Sequence, residues 1–191
     1  MNAQTEVKVW DPLVRVFHWT LVAAFFTAYF LDDEEMMDVH VLAGYTVLGL
    51  VLVRVVWGFI GTEHALFRDF VRSPVTAVCY AFDALRGTAR RYLGHNPAGG
   101  AMIVLLLVCL LLLTISGVAL YGADQHLGPL AGLFADTGEG EELEEMLEEV
   151  HEILANFTLV LIGIHVLGVI VESRLHKESL VLSMITGRKR A

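Results

Sequence analysis

The run His151-Glu-Ile-Leu-Ala-Asn-Phe-Thr-Leu-Val-Leu-Ile-Gly-Ile-His165 sets two histidines fourteen positions apart in an otherwise apolar, helix-length segment. Read as one helix from Glu141 through Val171, it carries one imidazole at the edge of an apolar span and the other well inside it. At ~1.5 Å and ~100° per residue the two lie roughly 21 Å apart and point within about 40° of each other. One metal ion cannot use both. Two cofactors placed along the same helix face can.

The surrounding composition says what this helix is embedded in. Of 191 residues, 55% are hydrophobic, and they are gathered into blocks rather than scattered, which identifies an integral membrane protein. Four segments reach the ~20 apolar residues that a bilayer crossing needs: about 13–31, 41–60, 101–121 and 153–171. The expected architecture is all-α, a single membrane domain over residues 1–191 built as a four-helix bundle with short interfacial helices. Met1 to Trp10 lacks a basic n-region followed by a short apolar stretch and a cleavage site, so the first helix is expected to be an uncleaved anchor.

Charge orients the bundle. An even number of crossings puts both termini on one side. All thirteen Lys and Arg residues, from Lys8 and Arg15 through Arg54 and the Arg68–Arg91 segment to Arg174, Lys177 and Arg188-Lys189-Arg190, lie at or near the ends that share that compartment. The positive-inside rule makes it the cytoplasm. The opposite connections, Asp32 to Val39 and Gly122 to Val150, contain no Lys or Arg, and the second carries a dense acidic cluster from Glu139 to Glu149. The net charge of −9 is thus concentrated on the expected periplasmic face. No nucleic-acid partner is expected. Such a face would steer in a cationic protein.

Between the second and third spans, Ser73-Pro74 followed by Val75, Val78, Cys79, Phe82 and Leu85 predicts a capped amphipathic helix on the membrane surface. Leu175 to Ile185 predicts a second interfacial helix, ending in the basic tail Arg188-Lys189-Arg190. Cys79 and Cys109 fit no metal or covalent haem motif and are expected to be small buried residues.

Ionisable side chains at membrane depth are candidates for function. His18 and His165 lie near the cytoplasmic ends of the first and fourth spans, and His40 and His151 at the opposite ends of the second and fourth. Depth therefore pairs His18 with His165 and His40 with His151. Two haems, each held by two histidines, suit the spacing and the apolar surroundings, and such irons carry single electrons because no coordination position stays open. No residue is assigned a catalytic role. Gly44, Gly49, Gly117 and Gly163 admit either a porphyrin or simple close helix packing. Arg54, fourteen residues after His40 on the cytoplasmic side, is suited either to a haem propionate or to reaching the lipid headgroups. His64, His95, His126 and His176 fall in connections and are expected to be surface or turn residues, with His95 and His126 next in line as ligands.

At these residues the chain resembles the bacterial cytochrome b561 family, which also includes b-type cytochrome subunits of membrane hydrogenases. Phe17-His18-Trp19 is similar to the family's first-helix motif, Val39-His40 with Gly44 and Arg54 to its second helix, and His151-Glu152 with Leu154-Ala155-Asn156 and Gly163-x-His165 to its fourth. The resemblance covers nearly the whole chain. It implies a four-helix carrier of two haem b groups with His18, His40, His151 and His165 as axial ligands, and a connection to quinone. A branch of the family passes electrons from superoxide to ubiquinone, although an acidic outer face would repel that anion. Hydrogenase subunits usually carry a further helix, and by that criterion the hydrogenase reading ranks lower.

Overall fold

The computed structural model describes residues 5–134 and 140–191, with Gly140 and Glu141 described by their helical backbone alone. Glu139, where the expected acidic cluster begins, lies outside the described residues. The elements run β1 (Glu6–Lys8), α1 (Pro12–Phe30), α2 (Met37–Ile60), α3 (Phe67–Phe70), α4 (Pro74–Leu85), α5 (Pro97–Asp124), α6 (Ala131–Phe134), α7 (Gly140–Leu175), α8 (Leu180–Thr186) and β2 (Arg188–Arg190). The protein is nearly all-α, and α1, α2, α5 and α7 are long and apolar enough to cross a membrane. On these four helices large apolar side chains such as Leu52, Phe59, Leu112, Phe157 and Leu167 are exposed, as lipid-facing positions are.

Local chemistry sets where the helices begin. An oxygen-bearing side chain before a proline satisfies a free backbone N–H, while the proline occupies a position that needs no donor. Asp11 before Pro12 accepts from Val14 N at 2.9 Å, Ser73 before Pro74 from Thr76 N at 3.2 Å, and Asn96 before Pro97 from Gly99 N at 2.7 Å. The transmembrane helices extend past the apolar cores read from sequence because such caps lie in polar flanks. α7 is the extreme case: its acidic leader is already helical, ten residues before His151.

The described residues form two compact units. The first combines residues 5–20, 52–105 and 161–191. Here Asp11 accepts from Trp57 Nε1 at 3.1 Å and Thr62 Oγ1 at 2.5 Å, tying the start of α1 to the end of α2. Burial raises the Asp11 pKa, but the bonds from Thr62, Val14 and Trp57 outweigh it and hold the carboxyl below its ordinary range.

In the same unit β1 pairs antiparallel with β2, Glu6 opposite Arg190 and Lys8 opposite Arg188. The expected basic tail is therefore a strand, and Lys189 is buried rather than solvated. Its ammonium lies 3.5 Å from Glu178, which also receives Arg91 at 3.0 Å. Gly187, at φ 80, turns α8 into β2 and accepts from Val9 and Trp10 through its carbonyl. A Cβ there would stand 2.7 Å from Trp10 O, so this turn requires glycine twice over.

α4 has its predicted cap, with Val75, Val78, Phe82 and Leu85 exposed and Ala77 and Tyr80 buried. Cys79 is exposed, which corrects the expectation of burial: it sits on the outward half of a one-sided helix. Cys109 is buried.

The second unit combines residues 21–51, 106–134 and 140–160. Phe25, Val47, Val51, Leu110, Leu113 and Thr158 are buried there, and Tyr29 Oη donates to Asn156 Oδ1 at 2.9 Å.

Candidate functional site

Each unit contains one pair of facing histidines. In the first, the rings of His18 on α1 and His165 on α7 have their centres 6.5 Å apart. In the second, the rings of His40 on α2 and His151 on α7 lie 6.1 Å apart. All four are half-buried. Two imidazoles hydrogen-bonded directly, N to N at about 2.9 Å, would stand roughly 5.2 Å apart. Two imidazoles bound to one metal from opposite sides, with bonds of ~2.0–2.1 Å, would stand about 6.4 Å apart. Both pairs match the second spacing.

Proton placement in the His40–His151 pair is fixed by its neighbours. His40 Nδ1 lies 2.9 Å from Ala28 O, which can only accept, so Nδ1 carries the proton. Ser116 Oγ donates to Leu113 O at 2.8 Å and lies 3.0 Å from His151 Nδ1, which therefore donates to it. Each ring keeps its Nε2 lone pair free to ligate a metal, the usual result of a held Nδ1–H. In the His18–His165 pair, His18 Nδ1 is buried without a partner.

Among the described residues no three His, Cys, Asp or Glu side chains gather as they would around a bare ion. A metal held by only two imidazoles must bring its other ligands, as iron in a porphyrin does. The surroundings of His40 and His151 fit that group: Phe25, Ala28, Tyr45, Val47, Leu113 and Val118 line a mainly apolar cavity with both histidines. Gly44 opens onto it with nothing within 4 Å of a Cβ position.

Arg54 is buried, 3% exposed, rather than extended towards solvent. Its Nη2 donates to Ala65 O at 3.1 Å, its guanidinium lies over the rings of Phe67 and Phe70, and Nη1 has no partner. His95 departs from its expected surface role. Its ring centre lies 4.5 Å from that of Trp10 and 4.8 Å from that of Phe70, tilted against both, and burial, followed by the charges of Arg54 and Lys189, pushes its pKa down to about 3. His126 is exposed, and His176 pairs with Glu172 at 3.3 Å.

Comparison with known proteins identifies the family of the chain. Residues 9–187 match the family described as prokaryotic cytochrome b561. A probable Ni/Fe-hydrogenase B-type cytochrome subunit of Azotobacter vinelandii is 27% identical over 98% of this chain and 90% of its own length. One from Rhodobacter capsulatus is 26% identical over 99% and 83%, and one from Rhizobium leguminosarum bv. viciae 23% over 96% and 89%. No solved structure matches. With four helices able to cross a bilayer and a family match across nearly its whole length, the chain belongs to the prokaryotic cytochrome b561 family and is a bacterial membrane b-type cytochrome that works in electron transfer.

Proposed function

We propose that the protein carries two haem b groups, one between His18 and His165 and one between His40 and His151, and moves single electrons between the quinone pool and a periplasmic redox partner. The observation that carries this reading is the pair of ring separations, 6.5 and 6.1 Å, contributed by three helices that share only α7. A bis-histidine haem supplies one-electron exchange without an open site for oxygen or substrate. The chain's own residues do the rest. Ala28 and Ser116 hold the Nδ1 protons of His40 and His151, the apolar wall of Phe25, Val47 and Leu113 excludes water, and Arg54 places a fixed positive charge beside the inner group.

In this reading both termini are cytoplasmic, and the exposed glutamates Glu142, Glu145, Glu148 and Glu149 at the start of α7 face the periplasm. They favour a cationic protein such as a c-type cytochrome over an anion such as superoxide. A second reading is favoured by the relatives: the chain serves as the cytochrome b subunit of a larger enzyme, taking electrons from a hydrogenase-like partner.

Pyridine haemochrome quantification of the purified protein should give two haems b per chain, with low-spin spectra. One haem, or none, in well-folded protein would sink the proposal. His165→Ala should abolish one haem and spare the other. Capture of a soluble cationic cytochrome, lost at high salt, supports the first reading, whereas stable co-purification with a hydrogenase supports the second.

A further inference from the structure

His95 is a buried donor that the histidine pairs do not use. Its Nδ1 has no partner, although Trp10 and Phe70 hold the ring from two sides. Phe70 also lies under the guanidinium of Arg54, whose Nη1 is likewise buried and unpartnered. The two donors are thus joined through one aromatic ring, and His95 is within electrostatic reach of both Arg54 and His165.

The charge on Arg54 is permanent. Asp11 acts on it electrostatically, but the oxygens of that carboxylate are already engaged by Val14, Trp57 and Thr62. A buried cation without a hydrogen-bonded anion is costly to the fold, and a guanidinium beside a neutral N–H donor is the chemistry of a carboxylate site. A second cavity, lined by His64, Asp69, Phe70, Arg90 and His95, opens beside this group and leaves room for a carboxylate.

We infer that His95, together with Arg54, binds the carboxylate side chains of the haem held by His18 and His165. The inference rests on the two-haem reading. It makes His95 a positioning residue that would help hold that group in place and set its potential. Arg54 and His95 belong to the unit that contains His18 and His165, not to the unit of His40 and His151.

The test is a spectroelectrochemical titration of the purified full-length holoprotein, in which the two haems are followed separately. Removing a positive charge beside the inner haem favours its ferric form. Arg54→Gln should therefore shift its oxidation equilibrium about tenfold, equivalent to about 59 mV downwards for one electron. Arg54→Lys should restore most of that shift. His95→Phe keeps an aromatic ring between Trp10 and Phe70 but removes the donor, and should shift the same haem about threefold in the same direction, with His95→Gln recovering it. Redox difference infrared spectra of protein grown with haem labelled at the propionate carbons should show the carboxylate bands moving in His95→Phe.

Unmoved carboxylate bands and potentials in His95→Phe, or equal shifts of both haems, would overturn the assignment while leaving the two-haem reading intact. Haem-free wild-type protein would overturn both. If Arg54→Gln does not accumulate, the His95 variants and the infrared bands decide alone.

Discussion

A methyl group on Gly117 would stand 2.7 Å from the Cε1 of His151. The imidazole uses the hollow that a missing side chain leaves on α5, so the ring position is set by a neighbour that contributes no atoms to it. Gly117→Ala must push His151 aside. Its expected effect is about a tenfold loss of haem retention at the His40–His151 pair, the lower end of what disturbed supporting groups cost a metal site. Gly168→Ala, where a Cβ meets nothing within 4 Å, is the matched control and should leave both haems in place. Haem-to-protein ratios after detergent washing measure the difference.

Ser116 is predicted to matter without touching any cofactor. With its own proton committed to Leu113 O, it acts as an acceptor and keeps the Nδ1 proton of His151 in place. Ser116→Ala frees the ring to change tautomer or rotate. Haem affinity at that pair should fall roughly tenfold, with the His18–His165 pair unaffected. A threonine at the same position should recover most of the loss. Competition with a soluble apo-haem protein is a suitable measurement.

Asp11 joins two transmembrane helices through one carboxylate. Asp11→Ala removes the cap on α1 and leaves Trp57 Nε1 and Thr62 Oγ1 without their acceptor. The expected cost is about 1–3 kcal/mol. Asp11→Asn should lose less, since a carbonyl oxygen remains to accept. Thermal denaturation followed by size-exclusion chromatography orders the three proteins.

The Glu178 cluster makes stability depend on pH. Burial raises the Glu178 pKa, but Arg91 and Lys189 more than compensate and hold it below its ordinary 4.5. A carboxylate depressed in the folded state contributes stability that is fully present above its unfolded pKa and disappears as pH falls through the folded one. The midpoint of thermal unfolding should therefore drop as pH goes below 4.5. Glu178→Gln should remove this part of the dependence and destabilise the protein at neutral pH by on the order of 1–3 kcal/mol. Retention of the full acid sensitivity in that variant would exclude Glu178 as its source.

The four long helices were legible because each packs at least 18 residues of apolar sequence between polar flanks, and the start of α4 because Ser73-Pro74 is a local signal. The juxtaposition of His18 with His165 and of His40 with His151 followed from depth alone, since antiparallel helices bring equal depths together.

Non-local structure was harder to read. Glu6-Val7-Lys8 and Arg188-Lys189-Arg190 have too few apolar residues to announce a strand, and each becomes one only against the other. His95 was read as part of a turn because its neighbours in sequence, Gly94 and Asn96-Pro97, are turn residues. The rings that enclose it, Trp10 and Phe70, come from elsewhere in the chain.

The β1–β2 pairing also imposes an order on assembly. Residues 6–8 have no partner until residues 188–190 follow, after α1, α2, α5 and α7 have been made. The first unit therefore cannot close until those last residues have been made: a chain stalled before Gly187 would leave the Val9 and Trp10 N–H groups without their acceptor and the Glu178 carboxylate without Lys189.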